Sequence, residues 1–114
     1  MLIIFNKPYG VITQFSEHEV YPSLKEFISH KNVYPAGRLD ADSEGLVILT
    51  DNGALQNKLS DPTSNIEKVY VVQVENIPSS EDLAKLEKGV MISKYITKPA
   101  KVRLIEDPML WERV

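Results

Sequence analysis

The chain has 114 residues, a formal net charge of −3, 43% apolar and 25% charged residues, and no cysteine. That length suits one domain, residues 1–114, large enough to bury a core. The lack of thiols excludes disulfides, thiol catalysis and thiolate metal sites, and no apolar run approaches the length of a membrane span.

Leu2–Asn6 and Val11–Phe15 are both rich in strand formers, and Lys7-Pro8-Tyr9-Gly10 between them has the residues of a turn. No basic region precedes the short apolar start, so it reads as a strand and not a signal peptide; the cytoplasm is the expected location. Ser23–Lys31 predicts a helix, with Leu24, Phe27 and Ile28 at i, i+3 and i+4 after Tyr21-Pro22. Gly37-Arg38-Leu39-Asp40 is a tight bend with an arginine and a carboxylate two residues apart. Leu46–Thr50 reads as a buried strand between Gly45 and the Asp51-Asn52-Gly53 turn.

Ala54–Leu59 is a short helix stopped by Asp61-Pro62, and Glu67–Glu75 alternates enough to be a strand. Ser79–Lys88 is a helix with Ser79 or Ser80 as its cap, acids in its first turn and lysine at its end. Ile92–Ile105 reads as one or two strands, and Trp111, so near the terminus, suggests a docked tail or an interrupted element. The pattern predicts an α+β fold with short helices on a largely antiparallel or mixed sheet.

The central bend invites two functional readings. The first is calcium: Asp40, Asp42, Glu44, Gly45 and Asp51 fall at loop positions 1, 3, 5, 6 and 12 of an EF-hand, with Val47 at position 8. Glu44 is too long for its place and Asp51 a methylene too short for bidentate binding. The flanks decide against it: Pro35 and Gly37 break any incoming helix, and the outgoing segment reads as a strand. His18 and His30 have no acidic or thiolate partner at ligand spacing, so no metal is expected.

The second reading is a catalytic aspartate. Gly37-Arg38-Leu39-Asp40, with Ser43, Gly45-Leu46, Leu49-Thr50 and Asp51-Asn52-Gly53, resembles the signature of the RsuA-type ribosomal RNA pseudouridine synthases. Lys7-Pro8-x-Gly10 and Lys68-x-Tyr70 match two further segments in the right order, and the likeness covers essentially the whole chain. It looks most like the large-subunit enzymes without an N-terminal S4 RNA-binding module. The family pattern continues with a basic Gly-Arg-x-x-Gln block that is not found here, so the chain reads as the N-terminal part of a catalytic domain.

The resemblance implies the pseudouridine synthase fold and the isomerisation of a uridine, expected in 23S ribosomal RNA. That reaction breaks the C1′–N1 bond and rejoins the uracil through C5; it needs no redox change, group donor or metal, so no cofactor is expected. It does need an ionised carboxylate as nucleophile or base, and Asp40 is the residue of choice. Arg38 is expected to contact RNA phosphate or fill the gap left by the base. The target base must leave its stack; Tyr70 would stack on it and its phenol would take part in proton transfer at C5. Lys68, on the same strand face by the period of two, would sit near the same pocket.

Taken without the resemblance, Arg38 and Asp40 fit a structural ion pair and Tyr70 a core aromatic. A charge of −3 is not the basic footprint of a nucleic-acid binder. The excess acid is local to residues 41–66, whereas Lys94, Lys98, Lys101 and Arg103 form a stretch without acid. That stretch fits either phosphate contact or a lysine-guarded edge strand. The expected partner is ribosomal RNA, without membrane, the protein acting as a monomer. The rival function is a non-catalytic RNA-binding or ribosome-assembly module of the same fold.

Overall fold

The computed structural model describes residues 1–108 and Leu110; Trp111 and its expected docking lie outside the described residues. The chain forms two compact units, Met1–Lys68 and a second beginning at Val69.

The first unit is built on a sheet of β1 (Leu2–Lys7), β2 (Tyr34–Pro35) and β3 (Gly45–Thr50), in the order β1-β3-β2 with antiparallel pairing throughout. The β1–β3 register runs from Leu2 opposite Thr50 to Lys7 opposite Gly45. Alternation then does the sorting. Ile3 and Phe5 face the core across from Leu49 and Val47, while Leu2, Ile4 and Asn6 are exposed. Val11, Leu24, Ile28 and Val33 complete the buried cluster. Pro35, which has no N–H to donate, sits on the edge strand where none is required of it.

Past Thr50 the chain turns into α1 (Gly53–Ser60), whose cap is the Asn52 side chain accepting from the Leu55 N–H at 3.1 Å. Gln56 donates from that helix to the Pro35 carbonyl at 3.2 Å, fastening α1 to β2. Asp61 closes α1 and caps the 3₁₀ turn Pro62–Ser64, accepting from the N–H and hydroxyl of Thr63.

The second unit holds α2 (Ser80–Lys88) and the hairpin of β4 (Met91–Ile92) and β5 (Tyr95–Ile96). Ser79 and Asp82 form a reciprocal capping box at the start of α2. The helix ends at Gly89, whose φ of +108° and proximity to the Thr97 carbonyl leave no room for a Cβ. No helix among the described residues is long and apolar enough to cross a membrane.

Four sequence expectations are corrected. Val11–Phe15 is not a strand: only Ile12 makes a bridge, to Ser23, and the segment is held by individual bonds to its neighbours. Ser23–Lys31 forms a single 3₁₀ turn, Leu24–Glu26, because burying Leu24 and Ile28 takes only one turn of chain and Phe27 is left exposed. Glu67–Glu75 has strand composition but no strand partner among the described residues. Without a ladder to satisfy its backbone it stays irregular, with Val69, Val72 and Val74 exposed. Of Ile92–Ile105, only the short hairpin is regular.

Candidate active site

The bend that carries Arg38 and Asp40 leaves the sheet at Ala36, whose N–H donates to the Ile48 carbonyl at 2.7 Å. Gly37, at φ +99°, takes the left-handed turn that starts the loop, and Gly45, at φ +137°, returns it to β3. Between them the segment 7–13 grips the loop at three places. The Gly10 N–H donates to the Ala41 carbonyl at 2.6 Å. The Thr13 hydroxyl donates to the Leu39 carbonyl at 2.7 Å and accepts from the Leu39 N–H at 3.2 Å. The Lys7 ammonium donates to the carbonyls of Pro8, Val11 and Ser43 at 2.9, 2.7 and 2.7 Å.

Lys7 is fully buried at the end of β1. Burial pulls its ammonium below the usual lysine range, and the negative charges of Asp40, Asp42 and Glu44 act against that shift. Its three donors are matched to three carbonyls, so the charge is solvated by backbone dipoles in place of water.

These bonds draw Leu39 inward and leave its neighbours outside: Arg38 and Asp40 are both exposed. The two residues line a cleft of about 180 Å³ with Ile12, Thr13, Leu39 and Ala41. Ser43 N–H to the Asp40 carbonyl, at 3.0 Å, closes the turn directly after the aspartate. Among the described residues no ion pair joins Arg38 to Asp40; the bend is held by Lys7, Gly10 and Thr13 instead, which leaves both charged side chains available at the cleft.

Arg38 and Asp40 are therefore brought together on one loop. Lys68 closes the first unit and Tyr70 belongs to the second; both are exposed, in chain that is not a strand, so the period of two does not relate them. The helix–loop–helix frame of an EF-hand is not built around Asp40–Asp51, since β2 lies before the loop and β3 occupies its second half. Among the described residues no group of three or more His, Cys, Asp or Glu side chains is placed to hold a metal ion.

Sequence reasoning missed the parts played by Lys7 and Thr13. The signal for Lys7 was its parity with Ile3 and Phe5 in β1, which places it on the inward face; a lysine there must find partners. Thr13 carried no comparable signal, because its partner is backbone 26 residues away.

A sequence model of the family described as RNA pseudouridylate synthase matches residues 1–113. The chain belongs to that family. It is 51% identical over 112 residues to ribosomal large subunit pseudouridine synthase E of Vibrio vulnificus (strain CMCP6), covering 98% of this chain and 48% of that protein. It is 49% identical over 116 residues to the protein of the same name from Xanthomonas axonopodis pv. citri (strain 306), covering 99% and 61%. A crystal structure of pseudouridylate synthase superposes with a TM-score of 0.83 at 31% identity, over 93% of this chain and 47% of that one. The chain thus has the α+β pseudouridine synthase fold and spans 48% and 61% of the length of these two relatives and 47% of the solved chain.

Proposed function

We propose that the protein carrying this chain isomerises a uridine of ribosomal RNA, in the large-subunit 23S molecule, to pseudouridine. The observation that carries the reading is Asp40: an exposed carboxylate at the lip of a cleft, on a loop fixed at three places, in a chain of this family. The Asp40 carboxylate attacks C1′, the C1′–N1 bond breaks, and its electron pair leaves with the uracil. The ring turns, C5 attacks C1′ and expels the carboxylate, the C5 proton is lost to a base and N1 gains one. Atoms and electrons balance with no external reactant.

The negative charge of Asp40 acts on the buried Lys7 ammonium and opposes the downward pull of burial on it. Arg38, exposed beside Asp40, is suited to RNA phosphate or to the space vacated by the flipped base. Tyr70 is the candidate stacking and proton-transfer residue and Lys68 a further candidate substrate-binding residue, with residues 1–114 acting as one portion of the catalytic domain. The working protein is a cytoplasmic monomer that meets its RNA without a membrane. The alternative is an RNA-binding or ribosome-assembly module that retained the fold without the reaction.

Incubating the protein with ribosomal RNA transcripts and mapping carbodiimide adducts by primer extension tests the proposal. A new stop at one uridine is expected. RNA that is bound yet unchanged would favour the non-catalytic module.

A further inference from the structure

We infer that Thr13 is a positioning residue for Asp40, acting through the backbone of Leu39. The inference rests on the reading of Asp40 as the reacting carboxylate. The Thr13 hydroxyl spends its donor on the Leu39 carbonyl at 2.7 Å and accepts the Leu39 N–H at 3.2 Å. That N–H belongs to the peptide joining Arg38 to Leu39, and that carbonyl to the peptide joining Leu39 to Asp40. One hydroxyl therefore orients both peptide planes from which the two charged side chains issue, standing in for the strand partner that the loop lacks.

Thr13 can hold a loop because it is itself held. The Ile12 N–H donates to the Pro22 carbonyl at 3.0 Å and the Leu24 N–H to the Gln14 carbonyl at 2.8 Å, bracketing Thr13 on both sides. Leu24 is fully buried in the core, so the chain of restraint runs from core to Leu24, Gln14, Thr13, Leu39 and Asp40. Thr13 is 4% exposed, and water has little access to replace its hydroxyl. Lys7 and Gly10 hold Ser43 and Ala41, on the far side of Asp40; among the described residues, Thr13 is the one that bonds the Leu39 N–H and carbonyl.

The test is Thr13→Val, which preserves shape and removes the hydroxyl, assayed with Thr13→Ser and Asp40→Asn in the protein that carries this chain. Thr13→Val is expected to lower kcat on ribosomal RNA by about 10–100-fold, the scale of a misplaced reacting group, with KM nearly unchanged. Thr13→Ser should restore most of the rate, and amide exchange at Leu39 should be faster in Thr13→Val alone. Parental kcat in Thr13→Val beside a dead Asp40→Asn would overturn the positioning role and leave the reading of Asp40 standing. Parental turnover in Asp40→Asn would overturn both. If Thr13→Val does not fold, Thr13→Ala, which also removes the hydroxyl but adds no bulk, replaces it; parental kcat there is equally contradictory.

Discussion

The Lys7 ammonium donates a 2.7 Å hydrogen bond to the Ser43 carbonyl, 36 residues further along the chain. That bond ties the end of β1 to the loop after Asp40, and its donor is a buried cation whose other two protons satisfy Pro8 and Val11. The Lys-Pro-x-Gly and Gly-Arg-Leu-Asp segments thus form one structure, although the sequence places them far apart.

Lys7→Met should be strongly destabilising. It keeps the length of the side chain but leaves three carbonyls without their donor, at about 1–3 kcal/mol for a buried group left unpaired, not all additive. Urea unfolding is expected to show a loss of roughly 2–4 kcal/mol. A midpoint equal to the parent's would mean that Lys7 merely fills space.

The elements legible in the sequence were those specified by local chemistry. β1 and β3 followed from apolar runs with turns at their ends, α1 from Asp61-Pro62, and α2 from Ser79 and its flanking charges. What failed was non-local. Val11–Phe15 has strand formers but spends its bonds singly on Pro22, Leu24 and Leu39. Glu67–Glu75 has the composition of a strand, and composition cannot supply the neighbour that a strand requires. At the site, Arg38 and Asp40 were visible as a bend, whereas the bonds that fix it come from residues 7–13. Strand parity marks Lys7 as inward-facing, but its partner Ser43 and the Thr13–Leu39 pairing are non-local and no local pattern announces them.

The start of α2 should weaken in acid. Bonds from the Ser79 N–H, and then from its hydroxyl, hold the Asp82 carboxyl below the usual carboxylate range. The folded chain therefore binds fewer protons than the unfolded one between the two pKa values. This contribution is complete above the unfolded value, roughly pH 4, and is lost as pH falls through the lower folded value. An NMR titration of Asp82 with the Ser79 amide should show both moving together below the ordinary carboxylate midpoint. Independent movement would remove the capping box from the account.

Tyr70 is 63% exposed, so its substitution removes little packing and its effects on RNA can be read directly. Tyr70→Phe should bind a 5-fluorouridine RNA nearly as well as the parent while turnover falls by a factor on the order of 10², a general acid–base contribution. Tyr70→Ala should also weaken binding, by about 1–3 kcal/mol for a lost stacked base. Parental turnover in Tyr70→Phe would leave Tyr70 as a platform only.

The most direct measurement is carbodiimide mapping of ribosomal RNA treated with the parent protein and with Asp40→Asn, at equal occupancy of the RNA. Phosphate contacts supply most of the affinity, so binding by Asp40→Asn should stay within a factor of about 3 of the parent. The neutral amide cannot replace a carboxylate nucleophile. A pseudouridine stop is expected with the parent and none with Asp40→Asn; a stop of parental intensity with Asp40→Asn would show that the Asp40 carboxylate is not the nucleophile.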